Sequence, residues 1–131
     1  MLQKGMLLII DDLLEEADSH VTKLFTKHSH HMEVSVIFIT QNIFYKGLRT
    51  TTLNAHYLIL FKSPRDAFQV AYLARQMYPG KTKFLTEAFQ DATSKPFSYL
   101  AIDLRPETED KLRVRTGIFP DEENYCYVTR I

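Results

Sequence analysis

Cysteine is nearly missing from this chain: Cys126 stands alone. A lone cysteine excludes an internal disulfide and suits a reducing compartment. Nothing in the local pattern pairs it with any of the 5 histidines as a thiol nucleophile, so a small buried residue is the expected role. A charge excess of either sign is missing as well, because 16 Lys+Arg balance 16 Asp+Glu. Bulk electrostatic attraction to nucleic acid is thereby excluded, and any DNA contact has to come from a local patch or an assembly. No apolar run approaches the ~20 residues that cross a bilayer. Met1–Lys4 followed by Met6–Ile10 imitates a secretory leader, but the apolar part is short and ends in Asp11-Asp12. A small-residue cleavage site is not there. The chain is therefore expected to be intracellular and not secreted, with no membrane partner. It has no internal repeat and no low-complexity segment.

What is present is ordinary for a globular chain: 131 residues, 45% hydrophobic and 24% charged. Apolar strands alternate with amphipathic stretches. Met6–Ile10 and Val34–Thr40 are short continuous apolar runs, which read as strands buried on both faces. Between them, Leu14, Ala17, Val21, Leu24 and Phe25 recur at helical spacing from Leu13 to about Lys27. Strand, helix, strand fits a right-handed crossover with parallel strands. Gln41–Thr52 reads mostly as loop, and His56–Phe61 as a third strand. Ser63 and Pro64 suit the cap and first position of a helix that runs to about Met77 and stops at Pro79-Gly80. Its apolar stripe holds Phe68, Val70 or Ala71, Tyr72, Leu73 and Met77, for which core packing is the expected role. A second helix covers about Thr82–Thr93, and Phe97–Asp103 is a fourth strand. Leu112–Arg115 alternates like a half-exposed strand, and Tyr125–Val128 is a further short one. The class is α/β with a mainly parallel sheet flanked by helices.

Two strand ends carry chemistry. Open α/β sheets place ligands beyond the carboxyl ends of their strands. There Met6–Ile10 ends in Asp11 and Asp12. A carboxylate at that place can reach Mg²⁺ on nucleotide phosphates, usually through water, and a second can polarise the attacking water. The bland alternative is a helix cap ahead of Leu13. The next strand ends Ile39-Thr40-Gln41-Asn42. An amide there can hydrogen-bond both a γ-phosphate and the attacking water. The alternative is that Gln41-Asn42 simply opens a polar loop.

In order and spacing, these two strand ends resemble the Walker B and sensor strands of the FtsK–HerA superfamily. The similarity is to the DNA-packaging ATPases of Maverick/Polinton elements, poxviruses and related large DNA viruses. Thr51–Lys62, Pro64-Arg65-Asp66 and Ala74–Pro79 are similar to the segment after the sensor strand in the Maverick-type proteins. The resemblance covers roughly residues 6 to 103. It implies a RecA-like P-loop NTPase core for residues 1–105, with 106–131 as an extension of short strands. It implies ATP and Mg²⁺ as ligands and ATP hydrolysis coupled to duplex DNA translocation. Asp11 would take the Mg²⁺ role through water, Asp12 the water-activating role, and Gln41 with Asn42 the nucleotide-sensing role. Asp12 stands where many relatives have Glu, so its shorter arm needs a closer water. Such motors form homo-oligomeric rings with capsid proteins as further partners, in the host nucleus or cytoplasm or with the virion. An arginine from one subunit stabilises transition-state charge in the next. Arg49, beside Lys46, is the candidate, with Arg65 second and a solvated loop charge as the alternative.

A P-loop needs Gly-x-x-x-x-Gly-Lys-Ser/Thr between a strand and a helix. The one Gly-Lys-Thr here, Gly80-Lys81-Thr82, has Arg75 where the first glycine belongs. It follows a helical pattern, so Gly80 reads as a helix stop. Only Met1–Gly5 precede the Asp-Asp strand, so the chain is expected to be the downstream portion of a longer ATPase, inactive alone. Two other classes stay open: a non-catalytic α/β interaction module or remnant, and a helicase or translocase of the same superfamily. His28, His30 and His31 lack a second group of ligands and suit the negative end of a helix. Arg105, Lys111, Arg113 and Arg115 interleave with Glu107, Glu109 and Asp110, which reads as a solvated surface.

Overall fold

A computed structural model describes residues 3–11, 23, 33–43, 52, 54–64 and 68–130. The chain divides into two compact units, Met1–Ala55 and His56–Ile131. Among the described residues, no helix is long and apolar enough to cross a membrane.

The first unit holds β1 (Leu7–Asp11) and β2 (Ser35–Ile39). They pair in parallel, from Leu7 opposite Ser35 to Asp11 opposite Ile39. Their β-branched and aliphatic residues suit a pleated surface. A glycine turn leads in: Gly5 sits at φ 77 and donates its N–H to Glu33 O at 3.2 Å. Both strands were expected to be covered on two faces, yet Leu7, Ile9, Ile37 and Ile39 are exposed. The helix expected from Leu13 lies outside the described residues, apart from Lys23, which is helical. His28, His30 and His31 also lie outside them.

The second unit is a four-stranded sheet with two helices. Its strands are β3 (Tyr57–Phe61), β4 (Tyr99–Asp103), β5 (Val114–Arg115) and β6 (Cys126–Tyr127), hydrogen-bonded in that order and antiparallel throughout. The mixed α/β class therefore holds, whereas the mainly parallel sheet is confined to β1 and β2. The physical reason lies in the connection. One crossover helix returns the chain to the start of the preceding strand, so the next strand runs parallel. Here β3 is followed by two helices, α1 (Phe68–Met77) and α2 (Thr82–Ala92), packed on each other. The second pass brings the chain back to the end it left, so β4 runs antiparallel.

A four-residue turn links the helices. Gly80 takes φ 80 there, and Lys81 N–H donates to Tyr78 O at 2.9 Å. The Tyr78 and Phe84 rings meet edge-on across the turn at 4.9 Å. On α1 the buried residues are Val70, Leu73 and Ala74. Phe68 and Tyr72, expected in the core, are exposed, because the i, i+3, i+4 face that docks begins at Val70. On α2, Leu85, Ala88 and Ala92 are buried. This apolar layer meets one face of the sheet, where Leu100, Ile102 and Val114 have no exposed surface. β4 starts at Tyr99 instead of Phe97. Phe97 lies at φ 63, a left-handed conformation that an extended strand does not contain.

Candidate functional site

Strand alternation and register decide what reaches the carboxyl end of the first sheet. Asp11 is the last residue of β1 and is exposed. It pairs in register with Ile39, the last residue of β2. Adjacent strands lie ≈ 4.8 Å apart, so Gln41 and Asn42 leave the neighbouring tip at the same end of the sheet. Thr40 shapes that exit. Its hydroxyl accepts the Asn42 N–H at 3.2 Å and donates to Asn42 O at 3.3 Å. The turn gives the strand a definite end and directs the chain off the sheet there. Thr52, which is helical, donates its hydroxyl to Ile43 O at 2.8 Å.

Of the expected site residues, the structure brings Asp11, Gln41 and Asn42 to one end of one parallel pair. Asp12 and Arg49 lie outside the described residues, and so does Arg65. No group of three or more His, Cys, Asp or Glu that could hold a metal occurs among the described residues. A single carboxylate at a strand tip is nevertheless an ordinary arrangement for Mg²⁺, which keeps several waters and draws other ligands from phosphates.

A second polar centre was not foreseen. Asp103 ends β4 with 1% of its surface exposed, yet it carries a charge. Arg105 holds it on both oxygens, Nε to Oδ1 at 3.0 Å and NH2 to Oδ2 at 2.8 Å, and adds its backbone N–H to Oδ1 at 3.1 Å. Arg115 donates NH2 to Oδ2 at 3.3 Å. The Arg105 side chain, with backbone bonding behind it, holds the Asp103 carboxyl well below the usual carboxylate range against the opposing effect of burial. Arg105 also lies 5.1 Å over the Tyr57 ring.

Arg113 is not the solvated charge expected of it. Its guanidinium donates to three backbone carbonyls, Asp103 O at 2.7 Å, Thr108 O at 2.8 Å and Arg105 O at 3.0 Å. It thereby gathers the loop after β4 into a fixed turn. Lys111 does sit at the surface, paired with Glu109 at 3.0 Å. Part of the signal for this centre was in the alternation: Arg115 follows core residue Val114 in β5 and so leaves the strand on the face that carries Asp103, whereas Arg113 precedes the strand in a helical conformation. All three arginines are largely used in holding the fold. Cys126 also departs from expectation. It is exposed, because its register with Arg115 turns it away from the Val114 side.

Comparison with protein-family models, with curated proteins and with solved structures returns no match.

Proposed function

We propose that this chain carries the Walker B and sensor strands of an ATP-dependent DNA motor of the FtsK–HerA type, with the P-loop supplied from outside these 131 residues. The observation that supports the reading is the parallel pairing of β1 with β2, which sets Asp11 and Gln41-Asn42 at one carboxyl end. Rings that package or move duplex DNA use two neighbouring strand tips of this kind, and the RecA-like core is part of the proposal. Asp11 would hold Mg²⁺ through water, and ATP would supply the transferable γ-phosphate. Asp12, one residue further, would draw a proton from the attacking water. Gln41 would orient that water and sense the phosphate through its amide, with Asn42 beside it. Arg49 would reach the neighbouring subunit's nucleotide in a homo-oligomeric ring.

The 131 residues contain no phosphate-cradling glycine loop, so they are expected to hydrolyse ATP negligibly alone. The deciding experiment reads the transcript upstream of Met1 and assays the protein it encodes. An in-frame strand, Gly-x-x-x-x-Gly-Lys-Ser/Thr and helix is expected. Its Mg²⁺-dependent ATPase should respond to duplex DNA and fall at least 100-fold with Asp12→Asn, the order of effect that general-base catalysis contributes. A stop codon immediately upstream of Met1 would sink the motor reading.

One observation favours a second reading, a non-catalytic interaction module. The larger sheet is antiparallel and its buried charges are spent on backbone and on each other. Duplex DNA binding that weakens steeply with salt separates the two, since only the motor reading requires it.

A further inference from the structure

The outer edge of β3 is unpaired, and its residue classes run in the same order from either end. Leu104 N–H donates to His56 O at 2.8 Å, so His56 and Leu104 form a hydrogen-bonded pair of the β3–β4 ladder. Such pairs recur at every second residue of an antiparallel ladder. Leu58 and Leu60 therefore turn their N–H and C=O groups toward β4. Tyr57, Ile59 and Phe61 turn theirs outward, where among the described residues no further strand takes them up. Side chains follow the same alternation. Leu58 and Leu60 are buried, whereas Tyr57, Ile59 and Phe61 are exposed. Natural sheets commonly blunt such an edge with a charge, a proline or a bulge. β3 has none of these: its five residues are uncharged and its register with β4 is unbroken.

We propose that this edge pairs with the same edge of a second copy of the chain, antiparallel and about a two-fold axis at Ile59. The proposal goes beyond the motor reading and stands without it. The strand's own sequence selects the occupant. Tyr57-Leu58-Ile59-Leu60-Phe61 is aromatic, leucine, isoleucine, leucine, aromatic from either end. Antiparallel pairing centred on Ile59 sets Ile59 opposite its own copy, Leu58 opposite Leu60, and Tyr57 opposite Phe61. One axis perpendicular to the sheet produces all three contacts, as an isologous interface requires. The backbone agrees with this register. Ile59 points its N–H and C=O outward, so the two copies of Ile59 exchange both bonds at the axis. Tyr57 and Phe61 do the same on either side of it. A shift by one residue would oppose outward groups to inward ones and break each of those bonds. On the exposed face, Tyr57 would lie beside the second copy's Phe61 as a cross-strand aromatic pair. Both rings already have neighbours that continue the row: Phe61 meets Tyr99 at 5.6 Å, and Arg105 lies 5.1 Å over Tyr57. The axis keeps the helix-covered faces of both copies on one side of the joined sheet. The opposite edge strand, β6, is Cys126–Tyr127 alone, too short to recruit a further copy, so the assembly closes at the dimer. A contact one strand long, about 17 Å, buries less than the ≈ 800 Å² per partner of a standard interface, which sets the affinity in the micromolar range.

Sedimentation velocity of the whole chain between about 2 and 200 μM tests the proposal, a range that brackets micromolar affinity. A concentration-dependent monomer–dimer equilibrium is expected. Ile59→Lys and Ile59→Glu each set like charges face to face at the axis, so each variant alone should stay monomeric at the top of that range. An equimolar mixture of the two sets opposite charges face to face and should dimerise again. That rescue depends on Ile59 meeting its own copy. Circular dichroism of each variant at the lowest concentration checks that it is folded. Where a variant does not fold, amide hydrogen exchange of the unmodified chain carries the test. The Tyr57, Ile59 and Phe61 amides should be protected at the top of the range and exchange freely at the bottom, while Leu58 and Leu60 stay protected at both. A chain that is monomeric at the highest concentration overturns the proposal and leaves the edge to a strand of another sequence. So does a dimer that survives Ile59→Lys, a mixture that fails to dimerise, or Tyr57, Ile59 and Phe61 amides that exchange alike at both concentrations.

Discussion

Replacing Asp103 by Asn tests how much of the second unit is held by a buried charge. The carboxylate is 1% exposed and accepts four hydrogen bonds, three from Arg105 and one from Arg115. Asparagine keeps the size but offers one acceptor oxygen and two N–H donors, which then face guanidinium donors. Breaking a fully buried pair by removing one partner costs about 3–5 kcal/mol. The arginine side chains here are 38% and 36% exposed, so water recovers part of what they lose. A destabilisation of about 2–3 kcal/mol is the reasoned value, just below that range. In a unit of this size it corresponds to a melting temperature lower by roughly 10–20 °C. Urea unfolding followed by circular dichroism is the assay. The midpoint should fall while the slope stays unchanged.

Acid gives the same answer without a mutation. The carboxyl of folded Asp103 titrates below its unfolded value because Arg105 bonds its charged form. Folding therefore gains stability from this group above the ordinary aspartate range, near pH 4. That contribution declines as pH falls below the unfolded value and is gone once pH passes below the depressed folded one. The Asp103→Asn variant should lack that part of the acid dependence. A loss below about 0.5 kcal/mol, the usual range for a surface substitution, would refute the argument. So would an unaltered acid profile.

Three further changes probe other joints of the fold. Leu85→Ala removes a side chain with no exposed surface between α2 and the sheet and should cost about 2–5 kcal/mol by urea midpoint. Gly117→Ala places a methyl 2.6 Å from the Glu123 carbonyl oxygen at φ 63, where neither the backbone nor that atom yields easily; a loss of about 1–3 kcal/mol is expected in thermal melts. Arg113→Lys cannot reach three carbonyls with one ammonium, so amide hydrogen exchange should accelerate in the Leu104–Leu112 loop while α2 stays protected.

Element types were legible because each rests on local pattern. The apolar runs before Asp11 and Gln41 gave β1 and β2 to within a residue or two, and the Pro79-Gly80 stop separated α1 from α2. Boundaries moved where one residue's backbone intervened, as at Phe97. Strand direction in the second unit was not legible in the same way. Apolar periodicity says that a segment is extended and which face it buries, but β3 and β4 would show the same residues whichever way they ran. The decisive fact was the number of helical passes between them, and two passes reverse the outcome of one.

The polar centre shows a related limit. Residue by residue, Arg105, Lys111 and Arg113 alternate with acids and resemble a hydrated surface. Their separation into roles depends on geometry across strands. Asp103 is buried only because β5 runs beside β4 and brings Arg115 over it while Arg105 folds back. Lys111 lies in the short 3-10 turn Asp110–Leu112 ahead of β5 and pairs with Glu109 at the surface. The same residue types thus serve as solvent-facing charge or as internal fastening according to where the loop after β4 and the start of β5 place them. Of these basic residues only Arg115 lies in a strand, where its place beside core residue Val114 sends it to the side of Asp103, and no alternation in the sequence separates Arg113 from Lys111.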